Sequence, residues 1–354
     1  MMRFIVLMIA LMVLTFIFCT CKDAPTKPKD GNTDTTSHNF SWTITQLGDG
    51  ASSVLNDVAI INDTLAYAVG AIYLKDSLGN WDPNAYNLVK WDGLKWNLKR
   101  LQFYTFCGQS STGSYPTKAI WAFGPTDIWI TSGSEITHYD GNNQSSTACI
   151  PVSVYKLWGT SSSDLYVVGA IGGIAHFNGT SWTKIESGTS LDIQDIYGAY
   201  NSVTSQWEVI AVAGNAGSSY DRKILQIKGT NISTLSDNPI SLSLNGVWFV
   251  PNQRYYVVGD GIYEKSNLSD TSWIVHQLDI THYYTTQVKG NSTNDVFIIG
   301  AFGEFLHWNG KSWLSYQSVT GLSNGAYGSM AIRNNLVIAV GMDSPRAVVT
   351  IGRR

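Results

Sequence analysis

The sequence contains a strand-rich unit of about 40 residues that recurs along most of its length. Its most regular copy is KLWGTSSSDLYVVGAIGGIAHFNGTSWTKIESG, from Lys156 to Gly188. The apolar strands LYVVG, YYVVG and VFIIG share one position of the unit, and HFNGTSW, HWNGKSW and KWDGLKW share another. A repeat of this kind, without helical periodicity between its strands, predicts an all-β protein, a β-propeller whose blades each have four strands.

A glycine that ends the second strand of each unit allows the blades to be counted. The seven glycines are Gly70, Gly133, Gly169, Gly214, Gly259, Gly300 and Gly341. The first interval is 63 residues long, and the later intervals are 36, 45, 45, 41 and 41 residues. We therefore predict seven blades, with insertions in the first. Six or eight blades are the alternatives if the long interval conceals another arrangement.

The two ends of the repeat region predict how the ring closes. The chain stops at AVVTIGRR, a third strand that no fourth strand follows. The region begins near Phe40 with FSWTITQLG, which matches the fourth strands SWTKIESG and SWLSYQSV. We expect this N-terminal strand to complete the last blade and cover two open sheet edges. The first strand of each blade is interpreted as apolar on both faces, lining a packed centre.

Short polar motifs fit the same scheme. Asp-Gly or Asn-Gly pairs at 92–93, 140–141, 178–179 and 309–310 predict tight hairpins between third and fourth strands. His138, His176 and His307 occupy one position in three different blades, so ring geometry separates them. No zinc or other metal site is predicted from them, and no cofactor.

The N-terminus predicts export. Arg3 precedes an apolar run that ends at Phe18, and the run closes on Cys19-Thr20-Cys21. We interpret residues 1–20 as a lipoprotein-type signal peptide, with lipidation at Cys21, because the small Thr20 precedes it. An uncleaved anchor and simple secretion are the alternatives. Residues 21–38 lack large aliphatic side chains and are predicted to form a disordered tether ahead of a propeller domain at 39–354.

Charge and cysteine usage narrow the possibilities further. The formal net charge is −3 and no basic cluster follows the N-terminus, so nucleic acid is not a predicted partner. Cys107 and Cys149 both lie in or beside the second blade. In an oxidising compartment they are expected to form a disulfide, and two buried free thiols are the alternative.

The predicted binding surface is the face onto which the loops between second and third strands, and those between blades, open. We call it the loop face. Insertions at 71–87, 103–117, 215–222, 281–286 and 320–328 fall there. They are expected to bring together Tyr73, Trp81, Tyr86, Tyr104, Tyr115, Tyr220, Tyr283, Tyr284 and Tyr327. Such side chains stack on sugars or anchor a protein partner, and the alternative is that they pack against their own loops.

No catalytic residue is predicted. Asp or Asn directly precedes Gly in the hairpins, which is not the spacing of the sialidase aspartate box. The sequence has no Asp-x-Asp motif, and only five glutamates follow the tether. Paired carboxylates for glycoside chemistry are therefore hard to assemble.

Blades that read WGTSSSDLYVVGAIGGIAHFNGTSW resemble those of β-propeller lipoproteins of the Bacteroidota and Ignavibacteria type, which are often automatically labelled glucosyltransferase. The resemblance extends from about Phe40 to the C-terminus. It implies a propeller anchored by lipid in the bacterial envelope, at the outer membrane, with the domain in the periplasm or at the cell surface, and it supplies no catalytic residue. We expect the propeller to be monomeric. The leading hypothesis is a module that binds glycan or an envelope protein. A glycan-active enzyme and a structural component of an envelope complex are the alternatives.

Overall fold

The computed structural model describes residues 35–215, 221–276 and 279–354. This part of the chain is almost entirely β-structure, and its only helix is the four-residue α1 (Gln317–Thr320). The expected signal peptide, Cys21 and most of the expected tether lie outside the described residues, as does Tyr220. None of the helices in the described ranges is long and apolar enough to span a membrane.

Seven four-stranded antiparallel sheets form a ring, which confirms the predicted seven-bladed β-propeller. The chain begins with β1 (Ser41–Leu47) and then builds the blades in order. Blade 1 comprises β2 (Val54–Asn62), β3 (Leu65–Ile72), β4 (Tyr86–Trp91) and β5 (Trp96–Lys99), and the short pair β6 (Phe103–Tyr104) and β7 (Thr112–Gly113) follows it. Blade 2 comprises β8 (Ile120–Gly124), β9 (Asp127–Ser132), β10 (Glu135–Tyr139) and β11 (Ala148–Cys149). Blade 3 comprises β12 (Val154–Ser161), β13 (Asp164–Gly169), β14 (Ile174–Phe177) and β15 (Trp182–Ile185).

The later blades repeat this order, and the last lacks a fourth strand of its own. Blade 4 comprises β16 (Ile193–Asn201), β17 (Gln206–Gly214), β18 (Arg222–Lys228) and β19 (Asn231–Leu235), and blade 5 comprises β20 (Leu244–Val250), β21 (Arg254–Gly259), β22 (Gly261–Lys265) and β23 (Ile274–Val275). Blade 6 comprises β24 (Thr285–Ser292), β25 (Asp295–Gly300), β26 (Phe305–Trp308) and β27 (Trp313–Ser315). Blade 7 contains β28 (Gly325–Arg333), β29 (Leu336–Asp343) and β30 (Arg346–Arg353). The first strands of neighbouring blades contact one another around the ring.

The N-terminal strand closes the ring, as expected. β1 pairs antiparallel with β30, in a register that runs from Ser41 opposite Arg353 to Leu47 opposite Ala347. The Trp42 ring lies directly over Gly352, where an added Cβ would come within 2.5 Å of it. Blade 7 is therefore assembled from both ends of the domain. The pairing gives both β1 and β30 a partner that each would otherwise lack on that edge.

The hairpins predicted from Asn-Gly and Asp-Gly form where expected, and a side-chain oxygen supports each turn. In blade 3 the Asn178 Oδ1 accepts hydrogen bonds from the backbone N–H of Thr180 and of Ser181, both at 3.0 Å. Gly179 follows at φ +90°, a conformation that other residues rarely adopt. Short polar turns thus let the third and fourth strands pair directly.

The first strands are not apolar on both faces, which corrects the interpretation of the sequence. Asp57, Lys156, Asp195 and Lys289 all point into the ring centre and line one cavity there of about 270 Å³. Their charges are paired across the centre, as described below. The strand pattern concealed these groups because blades 1, 3, 4 and 6 contribute only one each.

Candidate functional site

The loop of blade 1 holds Trp81 outward on the loop face. The Asp76 carboxylate accepts hydrogen bonds from the backbone N–H of Leu78 (2.8 Å) and Asn80 (2.9 Å), and these bonds lower the pKa of Asp76. Lys75 pairs with Trp81 across the loop, and its Nζ lies 4.8 Å from the indole centroid. Trp81 remains 43% exposed. The loop oxygens are thus engaged in shaping the loop that presents the indole.

Three expected site residues lie at the junction of blades 1 and 2. The Arg100 guanidinium stacks 3.9 Å from the centroid of the half-buried Tyr86 ring. The Tyr115 hydroxyl donates to Thr105 Oγ1 at 2.9 Å, and the backbone N–H of Tyr104 donates to the Glu135 carboxylate at 2.8 Å. These contacts hold the loop together and leave Tyr115 partly exposed.

A disulfide fixes the same junction. Cys107, in the loop between β6 and β7, is bonded to Cys149 in β11, and their Cα atoms are 5.8 Å apart. The bond ties the long connection to the outermost strand of blade 2. The exposed Phe106 lies next to it on the loop face.

Blade 6 contributes an exposed aromatic pair. The ring centroids of Tyr283 and Phe302 are 5.7 Å apart, and the two side chains are 37% and 49% exposed. Phe302 occupies the first central position of a two-residue turn at φ +55°, followed by Gly303 at φ +78°. Such turns favour Gly, which has no Cβ, and Asn, whose short polar side chain can hydrogen-bond locally at positive φ. An exposed aromatic residue in this conformation is unexpected on grounds of stability alone.

Backbone contacts connect this pair to Trp81 across blades 6, 7 and 1. The backbone N–H of Phe302 donates to the carbonyl of Gly325, and Ser344 in the turn of blade 7 donates to Asn324. The neighbouring Pro345 carbonyl accepts from Ser53 at the start of blade 1.

Trp81 completes this series of contacts. Gly50 lies close to both Trp81 and Pro345: a Cβ added to Gly50 would be 3.5 Å from the Trp81 ring and 3.7 Å from the Pro345 ring. We call Tyr283, Phe302, Pro345 and Trp81, which these contacts link around blades 6, 7 and 1, the aromatic strip.

The remaining expected site residues do not join the strip as exposed groups. Tyr73 and Tyr284 are half-buried, and burial raises the pKa of the Tyr284 hydroxyl. The expectation for Tyr327 was wrong, because it lies in β28 with no exposed surface. Its hydroxyl bonds with Thr320 O (2.8 Å) and Thr350 Oγ1 (2.6 Å) in the core. Tyr220 lies outside the described residues.

Sequence reasoning missed the apolar residues at the turn tips. Ile171 occupies the turn of blade 3 that corresponds to Phe302, with φ +53° and 78% exposure. The signal was present as AIGG and AFGE, two copies of one turn in which a large apolar residue replaces the usual Asn. This turn is as short as its neighbours, so loop insertions do not reveal it.

The ring centre contains a first buried ion pair. Lys156 Nζ lies 2.7 Å from Asp57 Oδ1 and 3.0 Å from Ser329 Oγ, so it joins blades 1, 3 and 7. Asp57 Oδ2 also accepts from the backbone N–H of Ile120 in blade 2, at 3.1 Å. This pair therefore cross-links four blades at the ring centre.

A second pair repeats the arrangement on the other side. Lys289 Nζ lies 3.2 Å from Asp195 Oδ2, which also accepts from the backbone N–H of Val247 in blade 5. Burial lowers the pKa of Lys289, and Asp195 opposes that shift. Each buried charge has a partner, so we interpret these two ion pairs as contacts that hold the blades together at the ring centre.

The three histidines have a structural role within their own blades. Each pairs with the Asp that begins the preceding strand: His138 with Asp127 (3.1 Å), His176 with Asp164 (2.6 Å) and His307 with Asp295 (2.9 Å). In the described part of the chain no group of three or more His, Cys, Asp or Glu residues could hold a metal ion.

Comparisons with known proteins establish the fold. No protein-family model and no curated protein matches the chain. Among solved structures, YCF48 bound to a D1 peptide has a TM-score of 0.64 at 15% identity, over 90% of this chain and 99% of that one. The WD40 propeller of Doa1 has a TM-score of 0.58 at 13% identity, over 88% and 97%. A catalytically inactive virginiamycin B lyase from Staphylococcus aureus, solved with quinupristin, has 0.60 at 8%, over 88% and 99%.

The chain is thus a seven-bladed β-propeller. Its solved neighbours include a peptide-bound protein and a lyase, so the fold alone does not select a function. The choice between functions has to rest on this chain's own surface.

Proposed function

We propose that this protein is a binding module that holds a segment of another polypeptide against the aromatic strip. The observation that carries the proposal is Phe302, which is half exposed, strained at φ +55° and in contact with exposed Tyr283. Strain of this kind persists where a function requires it, and aromatic residues dominate the energetics of protein interfaces.

The shape of the strip favours an extended polypeptide. The contacts that link its members run over three blades, with aromatic side chains at both ends and backbone turns between them. A peptide can place side chains against separated anchors and hydrogen-bond to loop backbone between them. The likeness in fold to YCF48, which was solved with a D1 peptide, supports this occupant. Glycan is the competing ligand, since exposed indole and phenol rings also stack on sugars.

An enzyme is less well supported. Glu304, the glutamate nearest the strip, is buried and accepts hydrogen bonds from Thr281 (2.6 Å) and Ser315 (2.5 Å). It therefore braces the base of the loops that carry Tyr283 and Phe302. A carboxylate committed to two hydroxyl donors is poorly placed to act as a general acid or base.

We propose further that export and a lipid on Cys21 place this module at the bacterial envelope. The apolar run before Cys21 and the Thr20-Cys21 junction support this location. Metabolic labelling with a palmitate analogue tests it. Label should enter the wild-type chain and be lost from Cys21→Ser but not from Cys19→Ser. Equal labelling of all three would contradict the proposal.

The binding proposal is tested with the full-length protein, a display library of random linear peptides and a glycan array. We expect micromolar peptide ligands whose affinity falls at least tenfold in Phe302→Gly and in Trp81→Ala. Ile171→Gly is the matched control, because it removes an equally strained apolar turn residue outside the strip. Glycan hits without peptide hits, or equal losses in Ile171→Gly and Phe302→Gly, would overturn the proposal.

A further inference from the structure

At three junctions between blades, an aromatic contact fills the gap on the face opposite the loop face. A residue at or near the end of the third strand packs on the second strand of the preceding blade. Tyr139 meets Tyr67 with ring centroids 6.0 Å apart, and Phe177 meets Trp129 at 6.0 Å. In blade 6, Trp308 and Trp313 pair across the hairpin, and the ring centroid of Trp313 lies 6.2 Å from that of Tyr256 in blade 5.

Blade 4 lacks this contact, and blades 5 and 7 have Lys265 and Arg353 at the corresponding third-strand position. Its third and fourth strands pair Ile227 with Ile232, at the positions where blade 6 pairs Trp308 with Trp313. The third and fourth strands of blade 4 are fully described and contain no aromatic residue. Tyr166 of blade 3, which corresponds to Tyr67 and Trp129, therefore lacks the ring that its counterparts meet in the next blade.

A cleft of about 290 Å³ opens at this junction. Its inner walls are the buried side chains of Tyr166, Trp158 and Ile227, and its outer wall is Trp207. The ring centroids of Trp158 and Trp207 are 5.6 Å apart, and Trp207 is 39% exposed. The volume is at the lower end of the range for ligand sites, roughly 300–1,000 Å³, and suits a single ring.

Polar groups surround the mouth of the cleft. The Asp164 carboxylate is held by hydrogen bonds with His176 Nε2 (2.6 Å) and the Thr160 hydroxyl, so its position is fixed. Gln206 and Lys228 are exposed on the blade 4 side. A carboxylate, an amide and an ammonium group around an aromatic wall offer acceptors and donors to vicinal hydroxyl groups, with a flat apolar surface beneath.

We infer that the cleft between blades 3 and 4 is a binding site for one pyranose ring of a glycan. The apolar face of the sugar stacks on Trp207 and Tyr166, in the space that an aromatic side chain fills between blades 1 and 2 and between blades 2 and 3. Its hydroxyl groups bond with Asp164, Gln206 and Lys228. The site lies on the face opposite the aromatic strip, so it is independent of the proposed polypeptide binding.

Saturation-transfer NMR on the full-length protein tests the inference, with methyl glycosides of glucose, galactose, mannose and N-acetylglucosamine as probes. At least one pyranoside should bind with a dissociation constant in the millimolar range. Ile227→Trp introduces the indole that blade 6 has at this position as Trp308, and it should reduce that affinity at least tenfold without lowering Tm. Leu94→Ala, at an exposed hairpin residue of blade 1, is the control and should bind normally.

A second variant keeps the test decisive if Ile227→Trp does not fold. Gln206→Ala combined with Lys228→Ala changes only exposed side chains and should weaken the same pyranoside at least threefold. Phe302→Gly should leave the sugar signal unchanged, which separates this site from the strip. The inference would be overturned if no pyranoside showed saturation transfer, or if Ile227→Trp bound the sugar with wild-type affinity. Binding of N-acetyltryptophanamide without any pyranoside would also overturn it.

Discussion

The Nδ1 atoms of His38 and His307 lie 2.8 Å apart, and this contact fastens the segment before β1 to blade 6. One of the two nitrogens must accept the hydrogen bond, so the two rings cannot both be protonated in this arrangement. We call residues 36–40 the strap. Its attachment shows that the expected tether, taken to end at residue 38, already contacts the propeller at Thr36, which donates to the Asn294 carbonyl at 2.8 Å.

Charged and hydrogen-bonding groups surround the histidine pair. His307 Nε2 faces Asp295, which Arg354 also holds through two bonds of 3.0 and 3.1 Å. Burial opposes ionisation of Asp295, but hydrogen bonds from His307, Arg354 and Asn291 lower its pKa overall. Ser312 lies 3.4 Å from His38 Nε2, and the Tyr316 hydroxyl donates to the His38 carbonyl.

Strap attachment should therefore depend on pH. Burial lowers the pKa of His38 below its ordinary 6.5, and His307 and Arg354 lower it further. The attached state then binds fewer protons than the released state, so attachment is strongest above pH 6.5 and weakens as pH falls below it. Hydrogen exchange of the amides in residues 36–40, corrected for intrinsic rates, should show faster opening at pH 5 than at pH 8. His38→Phe should abolish the difference, and equal opening at both pH values in the wild type would contradict the mechanism.

The turn of blade 6 should respond in opposite directions to two neighbouring substitutions. Phe302→Gly removes strain at positive φ and should leave the free energy of unfolding unchanged or raise it by up to about 1 kcal/mol. Gly303→Ala should lower it by more than about 1 kcal/mol, because the new Cβ would lie 2.3 Å from the Thr320 carbonyl oxygen. Denaturant titration measures both. A large loss of stability in Phe302→Gly would show that the ring supports the fold.

Removing one member of a central ion pair should be costly. Asp195→Ala leaves Lys289 buried without its counter-charge and should destabilise by about 3–5 kcal/mol. The double variant Asp195→Asn with Lys289→Met should recover most of that loss, because no uncompensated charge remains buried. Lys184→Met, on an exposed outer strand, is the control. If the double variant lost as much unfolding free energy as the two single substitutions together, the two groups would not be coupled.

The disulfide should stabilise the protein mainly through the unfolded chain. Cys107 and Cys149 are 42 residues apart in sequence, and closing a loop of that length corresponds to at most about 4 kcal/mol. Cys107→Ser with Cys149→Ser should lower the unfolding free energy by that amount or less. A reducing agent should lower the Tm of the wild type but not of this variant. An unchanged wild-type Tm on reduction would refute the prediction.

The fold was predictable because its signals are local and repeated. The glycine that ends each second strand, the Asn-Gly turns and the matching strands at Ser41 and Trp182 each depend on a few adjacent residues. Their repetition fixed the number of blades and the closure by β1.

The sites were less predictable, because they depend on which residues meet across blades. Asp57 contacts a lysine 99 residues away, and no local pattern announces that pairing. Tyr327 was misplaced because TGLSNGAYG is typical of a loop, whereas the last residues of that segment begin β28. The cleft at blade 4 follows from comparing equivalent positions, once the register shows that Ile227 occupies the position of an indole.

Closure by β1 also has a mechanical consequence. Tension applied through the chain ahead of residue 35 reaches the ring first through Thr36 and His38, which are fastened to blade 6. Only after those contacts yield would the load pass to Ser41, the first residue of the β1–β30 ladder. From that end the ladder would be peeled open one hydrogen bond at a time. The strap must therefore detach before the ladder carries load, and the force that detaches it should depend on the protonation of His38.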